Sequence, residues 1–287
     1  KPSNQLNLYG LDILFQEFVD LYNSDKLPNK ILLSGSKGIG KSTLSYHLIN
    51  FILSKNEEYS YDLGNHKINA ENKSLKLIQN NTCPNFTLID VPSEKKMIDI
   101  SQIRNMILNL NKSSFNSKPR FILIDNIEYL NLNSINALLK ILEEPNLNTY
   151  FFLINNNKYI LPTLRSRCLN FKVDLSNKET VQISNKIIDG NIYDHINKNL
   201  IDYYSTPGKI YNLIKFSKEN DIDLPKLDLK KFLNLIINEN YYKKESSLKY
   251  MFYDFIELYL STKSSLIYSE MISKFLNRIN DTKKFNL

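Results

Sequence analysis

The chain has 287 residues, 42% hydrophobic and 23% charged, with a net charge of +7. These values are ordinary for a soluble globular protein of one large domain or about two to three smaller ones. They exclude several classes: no run of about 18 apolar residues forms a membrane span, no signal-peptide core stands at Lys1 to Leu8, and Cys83 and Cys168 form no Cys-x-x-Cys pair that would indicate zinc or a disulfide framework.

Cysteine usage of this kind points to a reducing cytoplasm. The chain opens on Lys1 rather than Met, which suggests a trimmed or incomplete start. The lysines are scattered, so the positive charge permits a polyanionic partner without specifying one. Leu11 to Tyr22 reads as a helix, with Leu14, Phe15, Phe18, Val19 and Tyr22 on one face. Ile31 to Ser34 reads as a short buried strand, and Lys41 to Leu53 as a helix. Residues 55–80 are polar and read as irregular. Phe86 to Val91 is a second strand, Ile98 to Leu110 a helix, and 112–119 a polar loop. Phe121-Ile122-Leu123-Ile124-Asp125 is a third strand, apolar throughout and ending in a carboxylate, as befits the buried centre of a parallel sheet. Ser134 to Glu144 is a helix stopped by Pro145. Tyr150 to Ile154 and Leu169 to Val173 complete the strands. Alternation of strands and helices indicates a doubly wound α/β domain over about 1–173. Helices follow at 177–189 and 192–204, and another starts at Thr206-Pro207, with Thr as N-cap. Asp221 to Pro225 reads as a linker. Leu248, Met251, Phe252, Phe255, Ile256 and Tyr259 form a helical stripe, and 267–279 repeats it.

The chemistry centres on Gly35-Ser36-Lys37-Gly38-Ile39-Gly40-Lys41-Ser42. This is the G-x-x-x-x-G-K-[ST] phosphate loop, set between a strand and a helix. The glycines let the backbone curl into an anion-binding nest, and the helix N-terminus adds its dipole. Lys41 would reach the β- and γ-phosphates, and Ser42 would hold Mg²⁺. Three of the seven glycines fall in this loop, which sets it apart from a chance surface turn. Asp125, at the end of an apolar strand downstream, is the matching second element, whose carboxylate holds Mg²⁺.

Ser134-Ile135-Asn136-Ala137-Leu138-Leu139-Lys140-Ile141-Leu142-Glu143-Glu144-Pro145 resembles the N-A-L-L-K-x-L-E-E-P stretch of bacterial clamp-loader subunits, and Leu161-Pro162-Thr163-Leu164-Arg165-Ser166-Arg167-Cys168 resembles their S-R-C motif. Both follow the loop and Asp125 in the expected order. The chain is thereby identified as similar to the AAA+ clamp loaders of DNA polymerase III. The resemblance implies a P-loop AAA+ parallel-sheet domain at 1–173, a helical lid at 174–217 and a C-terminal helical collar domain at 218–287. It implies ATP and Mg²⁺ as ligands, with Gly35 to Thr43 and Asn155 on the nucleotide. Asn155 would be the first sensor of the γ-phosphate, with the register open by one because Asn155 to Asn157 are three consecutive asparagines, and Arg167 a finger acting in trans on ATP held by a neighbouring subunit. The partners implied are the gamma/tau and delta subunits of a hetero-pentamer, the sliding clamp and primer–template DNA, in the cytoplasm with no membrane involved.

Several residues depart from the family's motor subunits. Asn126 stands where a motor carries the Glu that polarises the attacking water, and Gly208 stands where its lid arginine falls. The zinc-binding cysteines of many relatives are absent, so no zinc is expected. The leading expectation is a subunit that binds and positions, with little or no ATPase of its own. The alternative is an ATP-hydrolysing gamma/tau-type motor. A metabolic P-loop kinase would need a substrate site and an acid or base beside the γ-phosphate, and the sequence offers no such cluster.

Overall fold

The phosphate-loop strand sits inside a five-stranded sheet of order β2-β3-β4-β1-β5. In the computed structural model the described residues are 1–92, 94–112, 116–201, 205–244, 246–263, 273–275 and 277–278. The strands are β1 (Lys30–Ser34), β2 (Phe86–Ile89), β3 (Arg120–Ile124), β4 (Thr149–Asn155) and β5 (Leu169–Lys172). Every pairing is parallel. The central strands carry apolar residues at consecutive positions because both faces are covered: Ile31 to Leu33, Phe121 to Ile124 and Phe151 to Ile154 are all buried. Strand β1 lies between β4 and β5, so the chain crosses over at β1, and its C-terminal edge is where an open α/β sheet leaves a crevice.

Two compact units make up the chain, Lys1–Asp174 and Leu175–Leu287. In the first unit α1 (Asp12–Asn23) buries Phe15, Phe18 and Val19, and α2 (Lys41–Leu53) is buried on nearly every side. Helix α3 (Lys73–Gln79) lies within the stretch that reads as irregular from sequence. A buried cap explains it: Asn72 accepts from Leu75 N at 2.7 Å and from Asn50 Nδ2 at 2.9 Å. Helices α4 (Ile100–Leu110) and α5 (Leu132–Glu143) pack beside the sheet, with Ile103, Met106, Leu138 and Leu142 in one cluster with the β3 and β4 side chains. A short α6 (Pro162–Arg165) precedes β5.

In the second unit, α7 (Asn177–Ile188) begins with a Ser176–Glu179 capping box and α8 (Pro207–Glu219) with Thr206 as N-cap. The helix expected over 192–204 is instead two short 3-10 turns, Ile192–Asp194 and Lys198–Leu200, with 202–204 outside the described residues. Asn191 and Asn197 cause this, each bonding the amide two residues on and starting a turn afresh. The linker expected at Asp221 to Pro225 contains a fully buried Leu224. Helix α9 (Leu229–Asn238), which the sequence reading did not anticipate, buries Phe232, Leu233 and Ile236. After α10 (Tyr241–Lys244), α11 (Ser246–Lys263) buries Met251 and Phe255 in the same cluster. Of the apolar pattern read over 267–279, only residues 273–275 and 277–278 are described, and they are helical. Among the described residues no helix is long and apolar enough to cross a membrane.

Candidate nucleotide site

Strand β1 ends at Ser34, and the chain bends at once. Gly35 has no room for a side chain, because a Cβ there would lie 2.2 Å from the Val173 carbonyl oxygen. Gly38 (φ 87°) and Gly40 (φ 105°) take the left-handed conformation that L-residues avoid. Ile39 between them is buried and anchors the loop. Lys37 is exposed at the tip, and Thr43 is half-buried on the first helical turn. Gly40 is the N-cap of α2 and offers no capping side chain. The first amides of that helix are therefore left to other acceptors, as an anion site requires.

Lys41 is 3% exposed. Its ammonium donates to the carbonyls of Gly35 and Ser36, both at 2.8 Å, and to Asn156 Oδ1 at 3.1 Å. Burial pushes its pKa down to about 8, while the carboxylates of Asp125 and then Glu128 act to raise it. Asp125 follows the last residue of β3. Its carboxyl is pushed up to about 6, first by burial and then by the neighbouring charge of Asp90. The Ser42 side chain and the Asn126 amide, the latter at 2.8 Å, hydrogen-bond to it and act the other way.

Asp90 was not singled out from sequence. It follows β2 as Asp125 follows β3, and the register Ile89↔Ile124 brings the two carboxylates to one edge. The sequence extends β2 through Val91, and the structure ends it at Ile89, so that Asp90 follows it. Asn126 (φ 56°) donates through Nδ2 to Asp90 Oδ1 at 2.7 Å and accepts through Oδ1 from Asn156 Nδ2 at 2.8 Å. Asn156 also donates to Glu128, through Nδ2 at 2.9 Å and its backbone amide at 3.4 Å. Ends of three strands, β2, β3 and β4, are thereby tied by side-chain amides.

The sequence reading put Asn155 on the nucleotide. Asn155 is the last residue of β4, and its side chain closes a local turn, donating to Lys158 O at 3.0 Å and accepting from Lys158 N at 3.1 Å. The asparagine on Lys41 is the next one, Asn156. Arg167 lies after α6. Its Nη1 donates to Thr163 O at 2.8 Å, and its Nη2 pairs with the Glu143 carboxylate at the end of α5. Cys168 packs on the sheet cluster, and burial raises its thiol to about 11.

The donor set fits a divalent cation. A hydroxyl, Ser42, is bonded to a carboxylate, Asp125, whose charge is disfavoured by burial and by a second carboxylate beside it. A hard cation would relieve that crowding with oxygen ligands of the kind Mg²⁺ takes.

Residues 10–177 match a family model described as DNA polymerase III, delta subunit. The chain is 27% identical over 183 residues to the DNA polymerase III subunit gamma of Buchnera aphidicola subsp. Schizaphis graminum, covering 63% of this chain and 48% of that protein. It is 31% identical over 172 residues to the subunit delta' of Buchnera aphidicola subsp. Baizongia pistaciae, covering 57% and 49%. These alignments span about half of each relative's length. A gamma subunit-related protein of Thermotoga maritima has a solved structure that superposes with a TM-score of 0.51 at 18% identity, covering 94% of this chain and 93% of that one, a likeness of fold.

Proposed function

The chain belongs to the DNA polymerase III delta-subunit family, and from that premise we propose that it works as the delta-prime subunit of a clamp loader. In this reading it assembles with gamma/tau and delta subunits in the cytoplasm and helps to load a sliding clamp onto primed DNA. Residues 174–217 serve as the lid of the nucleotide domain and 218–287 as the collar that joins subunits. The chain binds ATP with Mg²⁺ and turns it over slowly.

One observation carries the nucleotide reading. Lys41 and Ser42, Asp125, and Asn156 come from three segments distant in sequence, yet meet through direct bonds or charge at one strand edge. Loop amides and Lys41 would hold the β- and γ-phosphates. Ser42 and Asp125 would hold Mg²⁺, which neutralises phosphate charge when bound. Asn156, bonded to Lys41, is placed by this reading at the γ-phosphate, the role the sequence assigned to Asn155. Asn126 has an amide where a motor subunit has a carboxylate, which supports slow turnover over the motor alternative.

Titration calorimetry of the full chain tests this. Wild type is expected to bind ATP only with Mg²⁺ present. Lys41→Ala is expected to lose about 2–4 kcal/mol of that binding, the scale of buried charge-assisted contacts. Absence of wild-type binding would mean that the loop no longer serves a nucleotide.

A further inference from the structure

We propose that Glu128 is the carboxylate that takes the proton from the water attacking the γ-phosphate of ATP at this site. The inference rests on the ATP-binding reading above. Three carboxylates stand at the strand edge, and the bonding sorts them. Asp125 is bonded to Ser42 and belongs to the cation side. Asp90 accepts from Val91 N and Asn126 Nδ2, both at 2.7 Å on one oxygen, and it acts on Asp125. Glu128 alone combines two relations to the lysine. Its charge bears on the Lys41 ammonium, and both its oxygens are held by Asn156, whose Oδ1 accepts from that ammonium. The carboxylate is thus fixed one side chain away from the cation that meets the terminal phosphate.

Asn126 is excluded from the same task on two grounds. An amide is no base at neutral pH, and both ends of this one are engaged, to Asp90 and Asn156. Its left-handed backbone turns the chain directly after Asp125, so that Ile127 is buried while Glu128, on the following 3-10 turn, stays half-buried at the edge. Asn126 is a strut that positions Asn156, and Asn156 positions Glu128.

The step balances without another reactant. The water oxygen bonds to the γ-phosphorus. The bond from that phosphorus to the β,γ-bridging oxygen breaks, and its electron pair leaves with ADP. The water proton passes to Glu128 and then to solvent, and inorganic phosphate is released. A positioned general base contributes on the order of 10²–10⁴ in rate.

The test is single-turnover hydrolysis of labelled Mg-ATP by excess full-length chain, with binding followed separately by calorimetry. Glu128→Gln is expected to bind ATP within about twofold of wild type and to hydrolyse it at least about 100-fold more slowly, the low end of a general-base contribution. Glu128→Asp, which keeps the carboxylate, is expected to retain more of the rate than Gln, and thermal melts show that each variant is folded. A folded Glu128→Gln at the wild-type rate overturns the proposal. So does a wild type that binds ATP without hydrolysing it, which leaves the binding reading standing. A wild type that shows no binding heat removes both, and the calorimetry separates that failure from the others.

Discussion

Asp125 is held in a charge state that costs the fold. Its carboxyl is raised from 3.8 to about 6. Below the raised value the folded chain takes up a proton that the unfolded chain refuses, so stability is gained as pH falls from about 6 toward 4. Above it, the ionised carboxylate costs about 3 kcal/mol. Asp125→Asn removes that charge. Without nucleotide, urea denaturation at pH 7 is expected to show the variant more stable than wild type by roughly 1–3 kcal/mol. The advantage is expected to shrink toward zero near pH 4, where the wild-type carboxyl is already protonated. The same variant is expected to lose the Mg²⁺ dependence of nucleotide affinity. A variant less stable than wild type at both pH values would mean that its bonds to Ser42 and the Asn126 amide outweigh the charge. Lys41, lowered to about 8 by burial, is the complementary case of a charge held against desolvation. Strain of this kind is expected where a site is built for a ligand.

At the scale of elements, the junction of β1, β4 and β5 sets where the loop begins. Gly35 N donates to Asn155 O at 3.2 Å, and Val173 N donates to Ser34 O at 2.7 Å, so three chain segments converge on one residue. A methyl group at Gly35 would meet the Val173 carbonyl at 2.2 Å, and that contact is backbone, which cannot swing aside. Gly35→Ala is therefore expected to lower stability by about 1–3 kcal/mol or more, the range for overpacking a dense interior. Thermal melting of the full chain reads this out. An unchanged melting temperature would show that β5 can move away from β1 at little cost. The requirement at Gly35 is space, whereas at Gly38 and Gly40 it is backbone conformation.

For the whole molecule, the proposed assembly gives Arg167 a task outside its own nucleotide site. A guanidinium is permanently charged and presents a planar fork suited to phosphate oxygens. Here the fork is occupied by Thr163 O and Glu143, a partly exposed pair of the kind that contributes little to stability. Arg167→Ala is expected to leave folding and the chain's own ATP binding largely intact. It is expected to slow ATP hydrolysis by the reconstituted hetero-pentamer, where trans-acting arginines contribute on the order of 10³–10⁵ in rate. Arg167→Lys should rescue only in part, because a point charge does not replace a fork. Equal ATPase and equal clamp loading by wild-type and Arg167→Ala complexes, at matched assembly, would reduce Arg167 to a surface ion pair with Glu143.

What the sequence determined by itself is local. The loop glycines, the apolar runs of β1, β3 and β4, the start of α8 at Thr206-Pro207 and the order of the motifs are all read from contiguous residues, because backbone conformation and periodic burial act within a few positions. The family matches agree with that reading of the α/β region. Tertiary structure decided the remainder. Nothing local distinguishes Asn155 from Asn156; only the end of the β4 ladder makes one the last strand residue and frees the other to reach Lys41. Asp90 and Asp125 are 35 residues apart in sequence, and parallel pairing of β2 with β3 makes them neighbours. Helix α3 formed in a polar stretch because a buried asparagine at its start is satisfied by Asn50 on α2, a partner that periodicity cannot supply. Glu128 acquires a role for the same reason: a carboxylate's chemistry depends on which distant amides and cations surround it, and the fold sets those distances.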